Sequence, residues 1–331
     1  GSGAYRIGSS VEFDWCCVNA VQTLSALGYE TIMVNYNPET VSTDYDICDR
    51  LIFDEISLES VLDIYEREKP DGLIVSMGGQ VPNNLAMRLH RAGVRILGTD
   101  PANIDRAENR QVFSALLDEL GIDQPAWRHM TDTSSAAGIV EELGGFPVLV
   151  RPSYVLSGAA MSIAHEPNEL RQILARAKRV SPDQPVVISK FETRAREIEI
   201  DAVADHGELV LWAISEHIED AGVHSGDATL VLPPQSIYIS TIRRVRLIAA
   251  KLAAALGITG PFNVQFLAKH NQVKVIECNL RASRSFPFVS KVTGVNFAAE
   301  ATRRMLGVQG ESAVASLELD HVGVKAPMFS F

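Results

Sequence analysis

The stretch VIECNLRASRSFPFVSK (275–291) sets Glu277, Asn279 and Arg281 at alternate positions, with Arg284 just beyond. Alternate positions of a strand share one face, so an acid, an amide and a cation line one side. Ile276, Cys278 and Leu280 turn to the other, as a half-buried strand requires. The longer segment GPFNVQFLAKHNQVKVIECN reads as a hairpin, and a loop centred on Asn271 puts Gln265 directly across from Glu277. Opposed residues bring their Cβ atoms to about 4.5–5.5 Å, so Gln265, Glu277 and Asn279 converge as oxygen donors. Hard cations such as Mg2+ take oxygen ligands and complete their shell with water and substrate phosphates. A metal clamp and a solvated cross-strand pair are both consistent with this spacing.

Other segments carry weaker signals. In RPSYVLSGAAMSI, Arg151 leaves a strand and a loop with Gly158 turns back into another. Backbone N–H groups of such a loop can cover phosphates while the arginine neutralises them; an ordinary hairpin has the same pattern. The chain has no GxxxxGK[ST], which excludes a P-loop as the phosphate site. GSGAYRIG carries Arg6 where the last glycine of a dinucleotide loop belongs, which argues against NAD. In SEHIEDAGVHSGDATL, His217 and His224 lack zinc-ligand spacing. The turn Gly222–Gly226 has the look of a loop where backbone approaches a ligand. EIEID places Glu197, Glu199 and Asp201 on one face, expected as a solvated strand edge from which any one could hold ribose hydroxyls.

The elements that must position these residues follow from period. Up to about Thr99 amphipathic helices (VNAVQTLSALGY, LESVLDIYEREK) alternate with short apolar strands (TIMVNYN, GLIVSM, VRILGT). That alternation predicts a parallel doubly wound sheet. AENRQVFSALLDELG predicts one helix, then strands at QPAWRHM, PVLVRPSYV and SIAH and a helix at PNELRQILARAKRV. Strands joined by turns at 192–195 and 205–207 follow, then the helix STIRRVRLIAAKLAAALG, the hairpin, and a last strand in HVGVKAPMF.

The totals bound the function. The 331 residues suggest roughly two domains, 46% hydrophobic residues can fill a core, and a net charge of −11 argues against a nucleic-acid binder. Local arginines can still collect an anion such as ATP. Four cysteines without CxxC spacing predict reduced thiols. No signal peptide or bilayer-length apolar run is read, which predicts a soluble intracellular protein with no membrane partner. The start at Gly1 rather than Met, directly on a loop, predicts a piece of something larger whose first strand lies elsewhere.

Taken together, GSGAYRIGSSVEFDW, VNYNPETVSTDYD, SMGGQVPNNLA, IDRAENR, VRPSYVLSGAAM, EHIEDAGVHSGDATL, GPFNVQF and IECNLRASRSFPFVSKVTGV resemble the large subunit of carbamoyl phosphate synthetase. The order of motifs holds from Gly1 to about Gly307. YRIGSSVEFDW and NPETVSTDYD are most similar to its second, carbamate-phosphorylating half, and LSGAAM and VGVKAPMFSF to the eukaryotic multifunctional pyrimidine-synthesis form. The resemblance implies an α/β chain: a Rossmann-like pre-ATP-grasp domain (1–104), a two-lobed ATP-grasp fold (105–189 and 190–310), and the start of a truncated last subdomain (311–331). It implies ATP, two Mg2+ (or Mn2+), and K+ as a further candidate.

By the same resemblance, Arg110 and Arg151 contact ATP phosphates beneath a lid around 157–161 that includes Gly158. Lys190 to Glu192 form the adenine hinge, Glu197 holds the ribose, and Gly222, Val223, His224 and Ser225 line the nucleotide and potassium site. Gln265 and Glu277 meet the nucleotide through metal, with Asn279 the third ligand; Arg281, Arg284 and Arg151 are the catalytic cations around carbamate and the transferring phosphoryl group. Replacing Glu277 is expected to abolish transfer with the fold intact. Ala159 stands where bacterial members have arginine, and Leu280 where many have proline. The implied partners are the first synthetase half, glutaminase and regulatory domains, in a cytoplasmic rather than mitochondrial-matrix enzyme whose family allows oligomers. A different ATP-grasp ligase and a catalytically silent nucleotide-binding fragment or scaffold are the competing readings.

Overall fold

The computed structural model describes residues 11–130, 136–152, 162–180, 186–222, 228–308 and 319–327. The first unit contains α1 (Val11–Ala26), β1 (Ile32–Val34), β2 (Arg50–Ile52), α2 (Leu58–Glu68) and α3 (Gln80–Arg91). Its strands are parallel as expected: β1 pairs with β2, and Leu73 bridges Ile96 in the same sense. The strand at 50–52, with the short apolar run Leu51–Ile52–Phe53, is not among the strands expected from period. Ser57 caps α2 by accepting from the Ser60 N–H, and Lys69 closes it in the left-handed region.

The helix expected over 107–121 is two helices. α4 (Pro101–Glu108) ends at Asn109, whose extended backbone stops it and whose side chain accepts from the Gln111 and Val112 N–H groups to start α5 (Arg110–Glu119). Asparagine competes with helical hydrogen bonds in this way. The break sets Arg110 at the first position of α5.

The small sheet has the order β3-β6-β4-β5, from β3 (Trp127–Met130), β4 (Val148–Pro152), β5 (Ser162–Ala164) and β6 (Val186–Lys190). It is accompanied by α7 (Pro167–Val180) and by α6 (Ala136–Glu142), a helix not expected from the sequence. Val140, Leu143, Leu170 and Leu174 join Val148, Val150 and Ile188 in a separate core.

The large sheet contains β7 (Arg196–Asp205), β8 (Glu208–Asp220), β9 (Leu230–Leu232), β10 (Gly260–Lys269), β11 (Gln272–Asn279) and β12 (Gly323–Lys325). Its order is β11-β10-β7-β8-β9-β12, antiparallel throughout. One face of β7, with Ile198, Ile200, Ala202 and Ala204, packs under α8 (Ile239–Ala255). That core also takes Leu85 and Leu89 of α3, Ile104 of α4 and Phe113 and Leu117 of α5. The segment 105–189 therefore divides in its packing, its first helix joining the large sheet. Val203, Leu211 and Ala213 face a second core with α1, α9 (Phe286–Thr293) and α10 (Phe297–Met305).

Gln265 does pair with Glu277, by a route slightly different from the expected one. The hairpin turn is His270–Asn271, both with positive φ, so Lys269 opposes Gln272. That register alone would set Gln265 against Ile276. A bulge after Gln265 inserts one extra residue on β11 and brings Glu277 into place.

Gly207, in the β7–β8 turn, has φ +86° and would place a Cβ 3.0 Å from the Ala254 Cα. Gly207→Ala combines left-handed strain with a backbone collision and should cost about 1–3 kcal/mol. A urea midpoint equal to that of the wild type would contradict this packing.

Candidate active site

Three structural units deliver side chains to one cleft. The bulged hairpin presents Glu277 and Asn279; the Asn109 break presents Arg110; β4 of the small sheet presents Arg151. Arg110 donates through a guanidinium N–H to the carbonyl of Ile276, the residue inserted by the bulge. The irregularity that fixes the register thus also supplies the acceptor that holds an arginine beside Glu277.

Glu277 is half-buried. Burial pushes its carboxyl up, yet the Asn279 amide (Nδ2 to Oε1, 3.0 Å) and the charges of Arg151, Arg110 and Arg281 outweigh burial and hold it below the ordinary range. Burial lowers all three guanidiniums; that of Arg110 falls to about 10 because Arg151 is also close. The Nε of Arg151 is buried and has no hydrogen-bond partner among the described residues. Arg281 donates to Gln80 Oε1 (2.8 Å), the Ala282 carbonyl (3.2 Å) and Asn279 Oδ1 (3.3 Å). Arg284 is exposed at the rim, near enough for Arg281 to sense its like charge. Three enclosed cations therefore surround the ionised Glu277, with Glu108 beside Arg281 and Glu197 beside Arg151 as further carboxyls that burial shifts toward the neutral form, a cluster of positive charge suited to an anion.

EIEID is not a solvated edge. β7 is an interior strand, and Glu197, Glu199 and Asp201 are all buried. Alternation identifies the polar face but not what covers it, and here the cover is a loop of this same chain. Asp201 Oδ1 accepts from Asn263 Nδ2 (2.8 Å) and Ser283 Oγ (2.5 Å), and Ser283 accepts from the Ser285 N–H (3.2 Å). The loop that carries Arg281 and Arg284 is thereby tied to the sheet. Burial and the mutual proximity of Glu199 and Asp201 raise the Asp201 carboxyl, and burial raises Glu199. Glu197 is raised to about 7 by burial and Glu199, against a hydrogen bond from the Gly222 backbone.

The remaining expected residues fall around the cleft. Gln265 stands between Glu199 and Glu277 in adjacent strands. Lys190 spends its ammonium on the carbonyls of Gly144 (3.1 Å), Gly145 (2.8 Å) and Phe146 (3.2 Å), and Glu192 pairs with Lys274. Gly222, with φ +118°, lies against Phe191. Gly158, Val223, His224 and Ser225, with the rest of the expected lid and potassium loop, lie outside the described residues. Sequence reading did not single out Gln80, Glu108 or Ser283, whose roles depend on contacts far apart in the chain.

Residues 1–106 match the family model described as Carbamoyl phosphate synthase preATP-grasp domain, and residues 109–311 that of Carbamoyl-phosphate synthase L chain, ATP binding domain. The chain belongs to the carbamoyl phosphate synthase large-chain family. All of it aligns at 59% identity with Multifunctional protein URA2 of Saccharomyces cerevisiae and at 57% with Multifunctional protein CAD of Squalus acanthias, spanning 15% of each. It is 55% identical to the mitochondrial arginine-specific large chain of Neurospora crassa, of which it spans 29%. In fold it is similar to the biotin carboxylase domain of Hydrogenobacter thermophilus 2-oxoglutarate carboxylase, solved with MgADP, ADP and bicarbonate. That match has a TM-score of 0.77 at 15% identity and covers 93% of this chain and 71% of the other. Campylobacter jejuni biotin carboxylase gives a TM-score of 0.74 at 16% identity, covering 89% of this chain and 70% of the other. These two likenesses establish the ATP-grasp fold. No described helix is long and apolar enough to cross a membrane.

Among the described residues, no group of three or more His, Cys, Asp or Glu side chains could hold a metal ion by itself. Glu277, Gln265 and Asn279 offer one carboxylate and two amides. That set of hard oxygen donors fits a magnesium ion drawing its other ligands from phosphate and water.

The charge arrangement makes Glu277 a structural counterion as well, so the expectation of an intact fold in its absence is revised. Glu277→Ala removes the one acid that faces Arg110 and a partner shared by Arg151 and Arg281, and should destabilise the chain by about 3–5 kcal/mol, read by chemical denaturation. Glu197 acts in the opposite sense. Its unfolded pKa near 4.3 and folded value of about 7 mean that only the folded state holds the proton between them. Its contribution to stability therefore declines as pH rises from about 4 to about 7. Glu197→Gln should flatten that decline; an unchanged pH profile would contradict the assignment.

Proposed function

We propose that this chain is the second synthetase half of a carbamoyl phosphate synthase, phosphorylating carbamate with ATP. The observation that carries the reading is Glu277, ionised among Arg110, Arg151 and Arg281 on a face of oxygen ligands. A carbamate oxygen forms a bond to the γ-phosphorus of ATP as the bond to ADP breaks. Both reactants are anions, so positioning and charge neutralisation dominate. Arg110 and Arg151 bind the phosphates. Arg281 and Arg284 orient carbamate and stabilise the equatorial oxygens of the transferring group. Lys190, Glu192, Glu197 and Gly222 frame the nucleoside side, together with Gly158, Val223, His224 and Ser225.

Glu277, Gln265 and Asn279 would hold Mg2+, which would supply neutralisation of phosphate charge. A second Mg2+ (or Mn2+) and K+ complete the proposed set. Carbamate arrives ionised, so no general base is required. The MgADP bound in the similar carboxylase structure supports the nucleotide part. The units are 1–104, 105–189, 190–310 and 311–331, acting with a first synthetase half, glutaminase and regulatory domains in the cytoplasm. The names of the multifunctional relatives support the larger assembly.

A second reading, a nucleotide-binding segment silent outside its parent chain, is favoured by the 15% of the relatives' length that it spans. ATP formation from ADP and carbamoyl phosphate with Mg2+ separates the two. Activity is expected, and Arg281→Ala should lower kcat by about 100- to 1,000-fold. ADP binding with no ATP formed by the wild type would favour the silent segment.

A further inference from the structure

We propose that Gln80, in the first turn of α3, is a positioning residue that fixes Arg281 for phosphoryl transfer; the inference rests on the reaction proposed above. Arginine has donors and no acceptor, so the Gln80 amide must turn its oxygen to Arg281, and the 2.8 Å contact from Nε is to Oε1. The far side of the amide enforces that orientation. Its Nε2 donates to Asn84 Oδ1 (2.6 Å) and Glu108 Oε2 (3.0 Å), while Asn83 Nδ2 occupies the other Glu108 oxygen (3.2 Å). A rotated amide would lose all three contacts of Gln80 at once.

Phe13 of α1 completes the clasp. Its ring lies 5.9 Å from the Arg281 guanidinium carbon, within reach of a cation–π contact. Gly79, with φ +82°, permits this, since a Cβ there would stand 2.9 Å from Phe13 Cδ2. The Asn279 and Ala282 acceptors lie within two residues of Arg281 and move with its own strand and loop. Gln80 and Phe13 come from the first unit. They fix the guanidinium relative to the rest of the cleft and leave its remaining donors for an oxyanion. The first unit, which contributes no phosphate-binding arginine among the described residues, thus acts on the reaction by holding one arginine still.

The test uses the whole chain. In 15N–1H spectra, the Arg281 Nε–H resonance, identified by its loss in Arg281→Lys, should be protected from exchange in the wild type. It should lose that protection in Gln80→Ala and keep it in Gln80→Glu, which retains an acceptor. In the assay of ATP formation from ADP and carbamoyl phosphate, Gln80→Ala should lower kcat by about 10- to 100-fold with the KM for ADP unchanged, and Gln80→Glu should restore part of it. Glu108→Ala, which frees the amide to rotate, should shift both readouts in the same direction, should Gln80→Ala fail to fold. Unaltered Arg281 protection in Gln80→Ala overturns the proposal, as does a rise in ADP KM matching the fall in kcat. A wild type that binds ADP but makes no ATP overturns the reaction itself, and the Nε–H comparison then still decides the clasp.

Discussion

One carboxylate enclosed among three guanidiniums is the constraint on which the cleft depends. Enclosing any one of these ions costs several kcal/mol, and only their mutual proximity offsets it. Glu277 is the acid shared by Arg110, Arg151 and Arg281, which come from α5, the small sheet and the loop after β11, while Glu108 also faces Arg281 and Glu197 also faces Arg151. Glu108 beside Arg281 and Glu197 beside Arg151 are both shifted by burial toward the neutral form, so positive charge remains in excess. The surplus persists inside a chain whose net charge is −11. The general field therefore repels anions while the cleft attracts them, which favours ligands that can enter and bridge the arginines. Arg151 already depresses the proton affinity of Arg110, less than burial does but in the same direction. An anion between them would relieve both.

Beneath that cleft the large sheet carries a second polar layer with a different purpose. Glu199 and Asp201 lie on an interior strand, where charge is costly, and burial shifts both toward the neutral form. A neutral or hydrogen-bonded carboxyl is tolerable in a core, whereas an isolated carboxylate is not. What these acids give in return is anchorage. Asp201 grips Ser283, Ser283 grips Ser285, and between them the backbone presents Arg284 outward. The loop that carries Arg281 and Arg284 is therefore held from below by hydrogen bonds and from the side by Gln80.

Much of this is legible in the sequence where the signal is local or periodic. The alternation through Glu277, Asn279 and Arg281 identifies the face, and the motif order identifies the family. The Gln265–Glu277 pair is reached too, although a two-residue turn and a bulge replace the simple loop centre that suggests it. Local rules fail where two signals compete. No glycine or proline marks the break at Asn109, and only its capping geometry reveals two helices. Burial of the EIEID acids is illegible for another reason. Period-two alternation separates faces but says nothing of a loop more than 80 positions downstream that covers one of them. Gln80 is hidden likewise, since its partner Arg281 is 201 residues away.

The separation of cores bears on how the cleft works. Arg110, Glu277, Arg281 and Gln80 belong to elements sharing the cores of the large sheet, whereas Arg151 belongs to a sheet with its own. Backbone bonds from Lys190 to Ala126 and from Phe191 to Pro147 join the small sheet to the strand's exit toward β7. A small rotation about that exit changes the Arg151–Glu277 distance while leaving the other charges fixed. Coulomb energy at an effective dielectric of about 20 changes by about 1 kcal/mol or more when a pair opens from 4 to 6 Å. The attraction of Arg151 for Glu277, and for any phosphate lying between them, therefore couples the position of the small sheet to occupancy of the cleft.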